Sequence, residues 1–170
     1  MRRGIQKEFH LWPINTFIRY WTLLMSTDID YDNPWLYKSK PFISDQIEDN
    51  HGFVYHIRNR INNRCYIGRK YFWSFRKPRG KKRRVKSESN WKEYYGSCPE
   101  LKEDIEKYGK ENFDRSIISL HKTQGKTNFE ETRQLFLNNV LTESLDDGTP
   151  AYYNGNILNR YFKKDYYDRD

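Results

Sequence analysis

The chain has 170 residues and a formal net charge of +8, from 31 Lys and Arg against 23 Asp and Glu. Apolar content is only 36%, but aromatics reach 17%; that excludes wholesale disorder, because unfolded chains are poor in Tyr, Phe and Trp, and the length allows one domain with chain to spare. Two cysteines and four scattered histidines exclude a disulfide scaffold and the ligand spacings of a zinc module.

In chain order, residues 1–24 carry helix-compatible apolar positions without a clean period. The apolar stretch 12–25 is interrupted by Asn15, Thr16 and Arg19; it is too short to span a bilayer and lacks the small-residue cleavage site of a signal peptide. Met25 offers an alternative start. Residues 25–50, with Pro34 and Pro41, read mostly as loop, with one helical turn at 44–48. Residues 53–57 and 64–68 are β-prone and flank an Asn-rich connection at 59–63, the pattern of a hairpin.

Residues 69–86 hold 10 basic residues and no acidic one, so the rest of the chain is close to neutral. Pro78 and Gly80 make the second half of this segment, 77–86, an inserted loop. Ser97-Cys98-Pro99-Glu100 has the spacing of a capping box, followed by Leu101, Ile105 and Tyr108 on one helix face and Gly109 as terminator. Residues 113–120 read as a strand. Asn128 is placed to cap a second helix carrying Leu135, Phe136, Val140 and Leu141. A turn at 146–150, a short helix at 156–162 and a fraying charged tail complete the chain. The fold class is α+β, a small three-stranded antiparallel sheet flanked by helices. Three regions follow: an N-terminal accessory arm at 1–50, a core domain at 51–145, and a C-terminal extension at 146–170 packing on that core. Composition points to a polyanionic partner, nucleic acid rather than membrane, and to a reduced, cytoplasmic setting.

The run FVYHIRNRINNRCYIGRKYFWSFR carries the chemistry. Tyr66 follows Tyr55 by eleven positions, and Arg76 follows Tyr66 by ten. With Phe53-Val54-Tyr55, Tyr66-Ile67-Gly68, and the downstream series Tyr95-Gly96-Ser97, Leu101, Ile105, Gly109 and Phe113, the chain resembles the GIY-YIG nucleases, closest to the phage-encoded, free-standing Seg-type branch that includes homing endonucleases. Phe53 stands where the family has Gly, with Gly52 just before it. Tyr152-Tyr153-Asn154-Gly155-Asn156-Ile157 resembles the Tyr-Asn-Ile ending of several members.

The resemblance implies a DNA endonuclease that uses one divalent metal ion, Mg²⁺ or Mn²⁺. It makes Tyr55 the first choice for the base that takes a proton from water and Tyr66 its partner, with interchangeable roles. A free tyrosine has a pKa near ~10 and needs cationic help to act near neutrality; Lys70, Arg69 or His56 would supply it. Arg76 would hold a phosphate oxygen. Glu131 would be the metal ligand, with Glu130 its nearest competitor. Gly68, Ser97 and Asn154 would neighbour the site. Arg69, Lys77, Arg79, Lys81, Lys82, Arg83, Arg84 and Lys86 would contact the nucleic-acid backbone. Two other readings remain at this stage: a noncatalytic nucleic-acid-binding module, and a nuclease for branched DNA or RNA. A homodimer is open, and a phage-encoded enzyme would work in the host cytoplasm.

Overall fold

The computed structural model describes residues 31–77, 79–80 and 82–166. The expectations for residues 1–24, for a start at Met25, for Lys81 and for the last residues of the tail lie outside them. Residues 31–166 belong to one compact unit.

At its centre, β3 (Gly52–Asn59) and β4 (Cys65–Tyr71) pair antiparallel with Tyr55 opposite Gly68 and Ile57 opposite Tyr66. Asparagines close this hairpin. Asn59 Oδ1 accepts from the Ile61 N–H at 2.9 Å, and Asn62 Oδ1 accepts from the Arg64 N–H at 3.0 Å. Asn63 takes a φ of 60°, a left-handed conformation that Asn tolerates better than most residues.

β7 (Phe113–His121) pairs antiparallel with the other side of β3, as a strand there should. Its register slips beside Tyr55: Val54 faces Ser119 while Tyr55 faces Ile117, leaving Ile118 as a bulge. Among the described residues the sheet has five strands in the order β2-β1-β7-β3-β4, not three. The added pair, β1 (Leu36–Tyr37) and β2 (Lys40–Pro41), comes from the stretch expected to be loop. Two residues are too few to show a period, and Pro41 is compatible with β2 because that strand is an edge. Beside β1, fully buried Trp35 packs on Phe53 and Tyr55, with ring centroids 5.3 and 4.9 Å away. The expected turn at 44–48 is a 3-10 turn at Ser44–Ile47.

Helix α1 (Pro99–Tyr108) buries Leu101 and Ile105 and stops at Gly109, whose φ is 83°. Its start corrects the capping-box expectation. Cys98 is the N-cap without a side-chain bond, and Pro99 opens the helix where its missing N–H costs nothing. Glu100 pairs instead with Arg64, and Ser97 turns toward Tyr66. Helix α2 (Gln124–Leu137) begins before Asn128, because the Thr123 hydroxyl caps it by accepting from the Lys126 N–H at 3.2 Å. The helix expected at 156–162 is a small hairpin of β8 (Asn156–Ile157) and β9 (Tyr161–Phe162), turned by Leu158 and Asn159 at positive φ.

The two sheet faces carry separate cores. One is aromatic, built from Trp35, Phe42, Phe53, Tyr55, Phe72 and Trp91 and joined by Leu101 and Ile105 of α1. The other joins Val54 and Ile67 to Leu135, Val140, Leu141 and Ile157. Helices against a largely antiparallel sheet make this an α+β fold. Apart from the sheet, β5 (Trp73–Arg76) and β6 (Val85–Glu88) form a two-stranded ribbon. The basic segment is therefore not one open loop beyond Arg76: Val85 and Lys86 are strand residues, and only residues 77–84 connect the arms.

Candidate active site

The sheet ends at β4, and a cleft of about 740 Å³ opens across that edge. An edge strand exposes both of its faces to such an opening. Tyr66 and Lys70 enter from the aromatic-core face, while Arg69 and Tyr71 enter from the face covered by α2. Tyr55 reaches the cleft from β3, Glu131 from α2, and Ser74, Arg76, Ser87 and Glu88 from the ribbon.

Gly68 explains how two tyrosines fit together. A Cβ there would lie 2.5 Å from the Tyr55 hydroxyl oxygen, 2.8 Å from its Cζ and 3.0 Å from Tyr66 Cε1. The missing side chain is the space that the Tyr55 ring occupies. Gly96, at φ 89°, performs the same service on the other side of Tyr66, where a Cβ would sit 3.0 Å from Cε1. The two phenol rings are 6.1 Å apart, and the Tyr66 hydroxyl is 3.5 Å from Ser97 Oγ.

Burial pushes the Tyr55 hydroxyl well above its ordinary pKa, with Tyr66 and Tyr94 adding to the effect, and burial raises Tyr66 as well. Both phenols are neutral near pH 7 in this cleft. Lys70 is depressed by burial and by the nearby Arg76 charge. Its Nζ donates to Asn90 Oδ1 at 2.7 Å and lies 4.1 Å from the Tyr94 ring centre.

Glu131 pairs with the Arg69 guanidinium. Burial still holds its carboxyl above the usual range, against the opposing pull of Arg69. Glu130 points elsewhere, bonding Arg133 and Gln134 along its own helix; the Arg133 bond lowers its pKa.

Tyr55, Tyr66, Arg69, Lys70, Arg76, Ser97 and Glu131 thus share one cleft. His56 does not join them. Alternation along β3 sends it to the opposite sheet face from Tyr55, where burial and then Arg58 lower its pKa, so it supplies no field to the tyrosines. Asn154 holds the site from behind: its amide accepts from the Ile67 N–H at 3.0 Å and donates to the Ile67 carbonyl at 2.8 Å. Lys77, Arg79, Lys82, Arg83 and Arg84 are exposed around the ribbon tip, while Lys86 places Nζ 3.8 Å from the Trp73 ring centre.

Tyr94, Asn90 and Ser89 also line the cleft and were not singled out as site residues in the sequence. In the sequence Tyr94 stands between Trp91 and Tyr95, as a core aromatic would, and its polar neighbours Asn90 and Lys92 are the sign of a surface turn. Arg115, 1% exposed on β7, fixes this turn through the carbonyls of Lys92 at 2.7 Å and Tyr94 at 3.1 Å.

A polar cleft lined by Arg69, Lys70 and Arg76, four phenols and two carboxylates suits a phosphate-bearing ligand rather than an apolar one. Comparison with protein families places it further. Residues 35–157 match the family described as "Putative endonuclease segE, GIY-YIG domain", and the chain belongs to this family of GIY-YIG endonuclease domains. The match begins at Trp35, next to β1, and ends in β8, so it takes in the whole sheet, both helices and the ribbon. No curated protein and no solved structure matches the chain. Among the described residues no helix is long and apolar enough to cross a membrane.

Proposed function

We propose that the protein is a metal-dependent DNA endonuclease that hydrolyses phosphodiester bonds in the cleft at the edge of β4. The observation that carries this reading is the convergence of Tyr55, Tyr66, Lys70, Arg76 and Glu131 on one opening, from three separate parts of the fold. Family membership supplies the reaction class.

The residues present fit a single divalent ion. Among the described residues no cluster of three or more His, Cys, Asp or Glu exists, which disfavours a two-metal site built from protein groups. Glu131 offers a hard carboxylate oxygen in an open cleft, the setting in which Mg²⁺ keeps most of its waters and takes phosphate oxygens. Glu131 would hold the ion, and its chemistry there is to neutralise charge on the leaving oxygen. The Arg69 pair keeps the same carboxylate neutralised in the absence of a cation.

In this proposal Arg76 grips a non-bridging phosphate oxygen, for which a guanidinium is geometrically suited. Lys70 adds positive charge on the opposite wall. Tyr55 acts as base only in its phenolate form, after releasing its own proton to solvent in the open cleft, and then takes the proton of the attacking water; Lys70 and Arg76 are the cations that lower the cost of that ionisation. Tyr66 donates to water or phosphate through its hydroxyl. The Seg-type family supports a phage-encoded, homing-type enzyme working in the host cytoplasm.

The test is nicking of supercoiled plasmid. Wild-type protein nicks with Mg²⁺ or Mn²⁺ and stops with EDTA, and Arg76→Ala and Glu131→Ala lose cleavage while retaining most DNA binding. Binding without nicking under any divalent ion would leave a noncatalytic clamp. Preference for flaps, junctions or RNA over linear duplex would change the substrate.

A further inference from the structure

The β5–β6 ribbon does more than deliver Arg76. Register places Ser74 opposite Ser87 and Arg76 opposite Val85, so these four share one face; Trp73, Phe75, Lys86 and Glu88 share the other. Ser74, Ser87 and Arg76 of the first face line the cleft, joined by the Trp73–Glu88 pair at the base of the ribbon, and the two small serines leave room for a sugar-phosphate backbone to lie against the strands. Beyond the cleft the ribbon is exposed: every residue of β6 is exposed, as are Phe75 and Arg76. Phe75 is 51% and Val85 44% exposed. Two apolar side chains among cations on a bare ribbon are hard to explain as core; they lie on opposite faces, so whichever face enters a groove brings one of them to base edges such as the thymine methyl. Lys77, Arg79, Lys82, Arg83 and Arg84 cluster at the tip.

We propose that the ribbon is the DNA-reading element of this enzyme, entering the major groove of duplex DNA on one side of the scissile phosphate. Groove dimensions decide which groove. Two strands about 4.8 Å apart with their side chains need about 10 Å, which fits a major groove of about 12 Å and not a minor groove of about 6 Å. Reach sets the range. At about 3.3 Å per residue the four-residue arms extend about 13 Å, and half of the connecting segment adds at most as much again. That covers up to about 7 base pairs at about 3.4 Å each. The proposal rests on the endonuclease reading for the position of the cut, but binding tests it without cleavage.

The experiment is hydroxyl-radical footprinting and salt-dependent anisotropy on cleavage-site duplex, with the full chain in EDTA. In one variant residues 77–84 are replaced by Asn-Gly, which can close the Arg76–Val85 pair as a two-residue hairpin turn. In a second, Lys82, Arg83 and Arg84 become Ala. The wild type should protect the duplex unequally, farther on one side of the cut. The turn variant, checked for fold by circular dichroism, should lose that extension alone, and its slope of log K against log salt should flatten by about 3 or more. The triple variant should flatten it less, in proportion to three charges. An A-form RNA duplex of the same sequence should bind more weakly, since its major groove is too narrow to enter. A symmetric wild-type footprint, an unchanged footprint in the turn variant, or equal binding of RNA duplex overturns the proposal. If, on a duplex selected by binding from a random pool, the turn variant loses protection at one end only while the wild type never nicks DNA with any metal, the ribbon proposal stands and the endonuclease reading fails.

Discussion

Gly68→Ala isolates the packing that sets the site, because the added methyl meets the candidate base directly. Its Cβ would fall 2.5 Å from the Tyr55 hydroxyl oxygen and 2.8 Å from Cζ, where ordinary contact begins at 3.4 Å. Tyr55 must shift by about 0.9 Å to relieve this, and its ring is 1% exposed, held by Trp35 at 4.9 Å and Tyr94 at 6.0 Å. Overpacking of this kind costs about 1–3 kcal/mol, a fall in Tm of roughly 3–10 °C for a chain of this size. A displacement near 1 Å of a reacting group costs about 100-fold in rate. The measurement is plasmid nicking well below the lower Tm, alongside thermal unfolding. Gly125→Ala is the control: it lies in α2 with nothing within 4 Å of a new Cβ, so it should keep full activity and gain up to about 1 kcal/mol of stability. If Gly68→Ala nicks at the wild-type rate, Tyr55 is not held where the chemistry needs it, and its role as base is wrong.

Other outcomes follow from the same geometry. Asn154→Ala leaves the Ile67 N–H and carbonyl without their partner in a buried setting; it should cost about 2–4 kcal/mol and speed hydrogen exchange at Ile67. Glu131→Gln should abolish nicking with little loss of fold, whereas Glu130→Gln should keep full nicking and lose only about 0.5 kcal/mol, the worth of an exposed pair along one helix. Lys163 is held down to about 8 by burial while its Nζ donates to the Tyr152 carbonyl. The unfolded chain, with its lysine near 10.5, binds more protons than the folded one above the lower value. Stability should therefore rise with pH from about 8 toward about 9.5, and Lys163→Met should flatten that rise in Tm measured across the window.

The parts of this fold that showed in the sequence are those built from local pattern. The β3–β4 hairpin joins two runs of β-branched and aromatic residues through asparagines, and α1 repeats Leu101 and Ile105 before Gly109. The two-residue strands β1 and β8 could not show a period, since their partners are far away in sequence or set by the turn between them. The start of α2 departs from expectation: Thr123 caps it, five residues before the expected Asn128, whose amide oxygen instead accepts from the Tyr71 hydroxyl. The site followed the same division. Tyr55, Tyr66 and Arg76 stand in one continuous run whose resemblance to the GIY-YIG signature singled them out, and they share the cleft. His56 was misplaced because adjacency in sequence means opposite faces on a strand. Tyr94 was passed over because an aromatic residue between Trp91 and Tyr95 looks like core until the turn held by Arg115 turns it to the cleft.

The outer edge of β4 has one more consequence. Its outward backbone groups are met in succession by different devices: Cys65 by the backbone of Ala151 and Tyr153, and Ile67 by the side-chain amide of Asn154, with the Glu131 carboxylate paired to the Arg69 side chain next along the strand. A bare sheet edge is a template for pairing with a second chain, and here that template is masked by backbone and by an amide that also holds the site. The same contacts that hold the hairpin in register cover its edge, so loosening the site would also bare a template for pairing, one event rather than two.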